Sequence, residues 1–192
     1  MSIKKKCPNR ALFYCLSFTK GRLQCRGFHQ KKGDLKMEVP MYQPTGRRFK
    51  LVLDQQALDA YTKEYFKVYP KRRKAPISEP IVPSLNKYQL LHKDARNELK
   101  ERWEEFVYPT AQEAGLLNLG LTHCELVVHV VFPNKRRNDL SNRLIKMPED
   151  GLTRAGMIID DNRFVIPKIT HCAHYEKNKP AMIFELIEIE PY

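Results

Sequence analysis

RRNDLSNRLIKMPEDGLTRAGMIIDD, residues 136–161, runs from a basic cluster through a short helical segment to a pair of adjacent acids. Pro148 cannot sit deep in a regular helix. The helix therefore either begins near Met147, with the proline in its first turn, or kinks there, and Gly156 closes it. Ahead of the helix Asp139 and Asn142 stand three residues apart, followed by Lys146; behind it come Asp160 and Asp161. Carboxylates arriving from two separate segments, with a lysine beside them, suit a hard divalent cation and phosphodiester chemistry. Taken singly, each acid also has a plainer role: Asp139 as a helix N-cap, and Asp160-Asp161 as turn residues.

Working outward, THCELVVHVVF (Thr122–Phe132) is dominated by β-branched residues and reads as the strongest strand, ended by Pro133. His123 and His129 share one of its faces but lie about 20 Å apart at ~3.3 Å per residue, too far for one ion. With Cys124 they read as structural. Upstream, FKLVL (Phe49–Leu53) predicts a strand, and Asp54 to Val68 a helix with an apolar stripe of Leu58, Tyr61, Tyr65 and Phe66. A second helix is expected from His92 to Ala114, its core stripe running Leu91, Ala95, Leu99, Trp103 (or Arg102), Phe106 and Val107, with Gly115 as its C-terminal cap. Downstream, Phe164–Thr170 and Met182–Ile189 look like an antiparallel pair turned by Lys177–Pro180. His171, Cys172 and His174 cluster there, and as a zinc half-site they lack partners.

The charge is distributed unevenly. The formal net charge is +12, yet residues 1–50 hold 13 Lys and Arg against Asp34 and Glu38, while the remaining 142 residues hold 21 against 20 acids. A tail that basic points to a polyanion, nucleic acid first; the bland alternative is a solubilising tail. Residues 1–48 are broken by glycines and prolines and read as a largely irregular extension, with 49–192 as the folded domain. Cys7, Cys15, Cys25 and His29 could hold a structural zinc in that extension, though no pair has the spacing of a zinc knuckle. Lys71, Arg72, Arg73 and Lys74 form a basic loop, either a contact to the DNA backbone or a solvated linker. No apolar run approaches the ~20 residues that span a bilayer. No signal peptide is read at the N-terminus, and an odd count of five irregularly spaced cysteines argues for a reducing cytoplasm.

In order along the chain, Asp139, Asn142, Lys146, the run Asp150-Gly-Leu-Thr-Arg-Ala-Gly156 and Asp160-Asp161 resemble the signature of the RusA-type Holliday junction resolvases of phages and prophages. The segment Pro83-Ser-Leu-Asn-Lys-Tyr88 resembles the one that precedes the long helix of that family. Ser141 stands where the family has a second acid, and one extra residue separates Asn142 from Lys146. The resemblance implies an α+β fold in which a small mixed sheet packs with helices. It also implies a homodimeric, metal-dependent endonuclease that cuts branched DNA in a bacterial host cell. On this reading Asp139 and Asp161 bind Mg²⁺ or Mn²⁺ directly, Asp160 is a ligand or orients one, and Asn142 positions a carboxylate or water. Lys146 stabilises the transition-state charge, and the basic loops Lys71–Lys74 and Lys135, Arg136 and Arg137 hold phosphates. The alternative is a protein on the same scaffold that binds nucleic acid or a protein partner and has lost its chemistry.

Overall fold

The computed structural model describes residues 43–190 and, upstream of them, the backbone of two short antiparallel strands, β1 (Phe18–Thr19) and β2 (Arg22–Leu23). The chain divides into two units, Met1–Pro40 and Met41–Tyr192. Cys7, Cys15, Cys25 and His29 lie outside the described residues.

The larger unit is an α+β domain. Its strands are β3 (Pro44–Asp54), β4 (Cys124–Phe132), β5 (Lys168–Tyr175) and β6 (Ala181–Ile189). Its helices are α1 (Gln55–Val68), α2 (Leu85–Gln89), α3 (Lys93–Glu113) and α4 (Lys146–Arg154). The sheet order is β3-β6-β4-β5, with β6 antiparallel to both neighbours and β5 parallel to β4. The expected β5–β6 hairpin is therefore not formed. β5 starts four residues later than expected, at Lys168, and the turn before β6 passes the end of β4. There Glu176 N donates to Phe132 O, and Asn178 N to Pro133 O, each at 3.1 Å. Burial explains the order: Met182, Phe184 and Leu186 of β6 are fully buried, as a central strand requires, whereas most of β5 is exposed, as suits an edge.

β3 also begins earlier than Phe49. It runs back to Pro44 across a register irregularity between Pro44 and Arg48, where Gly46 takes φ +90°. Arg47 pairs with Glu188 and the Thr45 hydroxyl donates to the same carboxylate at 2.7 Å, so these two contacts hold Glu188 below the usual carboxylate range. Residues assigned by composition to the extension thus start an edge strand.

One core lies on one side of the sheet. Leu51 and Leu53 of β3, alternate residues of β4 from Cys124 to Phe132, and the buried face of β6 pack with Leu58 and Tyr61, with Trp103, Phe106 and Val107, and with Leu152. The intervening residues of β4, including Val127 and His129, are only half-buried. In α3 the expected stripe is core only from Arg102 onward. Leu91 and Ala95 are exposed and Leu99 is half-buried, so the first turns of the helix stand clear of the core. Both candidates for the next position are buried: Trp103 in the core, and Arg102 against the rings of Tyr65 and Tyr69, at 4.9 and 5.1 Å from their centroids.

Helices α3 and α4 stop as their glycines predict. Leu116 N donates to Ala111 O and Gly115 N to Gln112 O; Met157 N donates to Leu152 O and Gly156 N to Thr153 O. Each is a Schellman closure with a glycine at φ +67°. α4 starts at Lys146 with Pro148 in its first turn, the first of the two alternatives the sequence allowed. A Cβ built on Gly151 would stand 2.7 Å from Val107 Cβ, so this glycine sets how closely α4 approaches α3. Among the described residues no helix is long and apolar enough to cross a membrane.

Candidate active site

The loop after β4 is organised by side chains that bond to its own backbone. Arg136 N donates to Asn134 Oδ1 at 3.0 Å, and Asn138 Nδ2 donates to Arg136 O at 2.9 Å. Arg143 clamps it: one guanidinium nitrogen reaches Val82 O at 3.0 Å, another reaches Asn138 Oδ1 at 2.9 Å, and the group lies 5.2 Å from the Phe132 ring centroid. Leu85 N donates to Asn142 O, and Leu144 N to Pro83 O. The Pro83–Tyr88 segment is thereby fastened alongside Asn142–Leu144, which its sequence alone did not disclose.

Beyond this clamp α4 presents Lys146 and Asp150 on one face, four residues apart. Lys146 Nζ contacts Asp161 and lies 3.2 Å from Asp150 Oδ1; Lys100 Nζ of α3 lies 2.9 Å from Asp150 Oδ2. Two carboxylates from different elements thus face one cation position, occupied by the Lys146 ammonium. The bond to Asp150 holds the Lys100 ammonium above the usual lysine value. Next to Asp150, Glu149 is buried, and burial raises its carboxyl above the ordinary range against the opposing pull of Lys146.

The expected ligands differ in the contacts they make. Asp161 meets Lys146. Asp160 is engaged locally, its Oδ1 accepting from Asp161 N and its Oδ2 from Asn162 Nδ2, each at 2.7 Å. Asp139 is exposed and accepts from the hydroxyl of Ser141 at 2.7 Å. Asn142 is half-buried, with its carbonyl engaged by Leu85. Lys100 had no signal in the sequence, because only the closeness of α3 to α4 brings it to Asp150. Among the described residues no group of three or more His, Cys, Asp or Glu side chains is arranged to hold a metal ion. The paired carboxylates Asp150 and Asp161 are nonetheless the donor type a hard cation takes.

The basic loops are exposed. Arg72 pairs with Glu98 at 3.4 Å, while Lys71, Arg73 and Lys74 face solvent. Lys135 Nζ lies 5.3 Å from the Tyr175 ring centroid, and Arg136 and Arg137 are exposed beside it.

The histidines regroup. His129 Nδ1 and His174 Nε2 lie 2.9 Å apart, and His129 Nε2 lies 3.7 Å from Glu185. The parallel β4–β5 register, which opposes Val131 to His174 and His129 to Cys172, supplies the partner that the sequence reading of His174 lacked. Cys124 is a core residue, its thiol raised to about 12 by burial. The sequence matches no family model and no curated protein.

Proposed function

We propose that the chain is a metal-dependent, structure-selective endodeoxyribonuclease of the RusA type, acting as a homodimer on Holliday junctions or other branched DNA. The bacterial cytoplasm is where such an enzyme, phage-encoded, would work. One observation carries the reading: Asp150 and Asp161, from two separated sequence blocks, converge on a single cation position at Lys146. Phosphodiester hydrolysis needs such a point, because the attacked phosphate gains charge that fixed cations must neutralise. Mg²⁺ or Mn²⁺ supplies charge neutralisation and an activated water when bound by carboxylates.

In this reading Asp161 and Asp150 hold the ion, and Lys146, displaced from between them, turns its ammonium to the phosphate. Lys100 stays on Asp150 and fixes the orientation of its carboxylate. Asp139, on the neighbouring loop, approaches once it is released from Ser141. The exposed cations at Lys71–Lys74 and Lys135–Arg137 bind phosphates without reading bases. The test is cleavage of a synthetic four-way junction with Mg²⁺. Asp161→Asn is expected to lose cleavage by about 10²-fold or more while binding the junction as wild type does. Wild-type cutting by that variant would refute the site.

A second reading, nucleic-acid binding without cleavage, draws on a specific observation: both converging carboxylates are already neutralised by lysines, and Ser141 stands beside Asp139 in place of an acid. It predicts an inert wild type and a Ser141→Asp variant that cuts.

A further inference from the structure

Immediately after Asp161 the chain forms a turn that is bonded to itself at each step. Asp160 accepts from Asp161 N and from Asn162 Nδ2; Asn162 Oδ1 accepts from Phe164 N at 2.8 Å and Val165 N at 3.2 Å. Asn162 O then accepts from Val165 N at 3.1 Å and Ile166 N at 2.9 Å. Val165 and Ile166 are buried and anchor the turn in the core. On this fixed base Phe164 leaves 63 % of its surface exposed, and Ile159, on the other side of the acid pair, leaves 57 %. The Arg163 guanidinium lies 4.8 Å from the Phe164 ring centroid.

A single exposed apolar side chain needs no explanation by itself. Here three features coincide: a turn built to hold an aromatic ring outward, a guanidinium on that ring, and a position three residues from the acid that meets Lys146. An aromatic ring with an arginine is the pairing that accepts an unpaired base, because the ring offers a π-face to any base and the cation serves its phosphate.

We infer that Phe164 and Arg163 form a stacking platform for a nucleobase that has left its helix beside Asp161, so that the site prefers branch points and single strands over continuous duplex. This deepens the nucleic-acid reading above and rests on it. Base stacking on an aromatic changes affinity by about 10-fold or more.

The experiment measures binding rather than cutting, with the full chain carrying Asp161→Asn so that no substrate is consumed. Fluorescence anisotropy compares a four-way junction, a short single strand and a linear duplex of matching sequence. Phe164→Ala and Phe164→Leu are both expected to weaken junction and single-strand binding about 10-fold while leaving duplex binding unchanged. The leucine keeps bulk and apolarity but has no π-face. Phe164→Trp is expected to retain wild-type affinity and to show quenched indole emission on saturation with the single strand, a signal that the buried Trp103 does not give. Equal weakening on all three ligands, wild-type discrimination by the leucine variant, or unchanged tryptophan emission overturns the platform while DNA binding stands. Failure of the parent chain to bind any of the three overturns the DNA reading as well.

Discussion

Asp161 and Asp139 entered the sequence reading as equal partners, yet the fold treats them differently. Asp161 emerges from a turn closed on itself and meets a lysine held on a helix, with Asp150 and Lys100 completing the group. Asp139 sits on an exposed loop whose firm attachment is Arg143, four residues away, and its own bond is to Ser141. One half of the site is preformed by packing of α3 on α4. The other is an exposed loop whose acid is bonded locally, to Ser141. Rigid elements give precision and loops give reach, and the difference can be measured.

The largest expected contrast is catalytic. Asp161→Asn and Asp150→Asn should each reduce junction cleavage by about 10²-fold or more, and Asp139→Asn by roughly 10-fold, measured as single-turnover rates. Equal losses at all three positions would erase the distinction between the halves.

Stability separates them next. Gly151→Val drives a branched side chain into Val107 and should cost about 2–3 kcal/mol in chemical denaturation, displacing Asp150 from Lys100 as α4 moves. Arg143→Ala removes two hydrogen bonds and a stacking contact from the loop. It should cost about 1–2 kcal/mol and weaken junction binding without altering the Lys146–Asp161 contact. A loss as large as that at Gly151 would show the loop to be as integral as the helices.

The smallest effect depends on pH. Burial raises the Glu149 carboxyl, so the native state holds the proton more tightly than the unfolded chain does. Its contribution to stability is full below the ordinary carboxylate range and is lost as pH rises through the raised value. Glu149→Gln should therefore raise Tm at neutral pH and leave it unchanged in acid, by calorimetry across a pH series. A variant stabilised equally at both ends would place the effect in packing rather than ionisation.

Much of this was legible in the chain itself. The helix closures at Gly115 and Gly156 followed from local rules, because caps and turns are decided within a few residues, and the same rules narrowed Pro148 to a first-turn position or a kink. The partner of β5 was not, since an alternating strand advertises its faces but not its neighbour. For the same reason His174 looked solitary until β5 was seen beside β4. Lys100 lies on a helix rich in charges, and nothing in its own neighbourhood distinguishes it from Lys93 or Glu101. Leu91 and Ala95 carry helical spacing without burial, since periodicity records a face and not whether anything lies beneath it.

The position of β6 between β3 and β4 has a consequence for how the molecule assembles. The strand that follows all the others in sequence is the one that joins them, and Arg48 finds Glu185 at a sequence separation of 137. Until Ala181–Ile189 has been synthesised, β3 has no strand to pair with, and the ribosome must release that segment before the sheet can close. Such a topology favours slow, late closure over stepwise growth. A chain cut just before Ala181 would leave the β4–β5 pair and an unpaired β3 rather than a smaller domain.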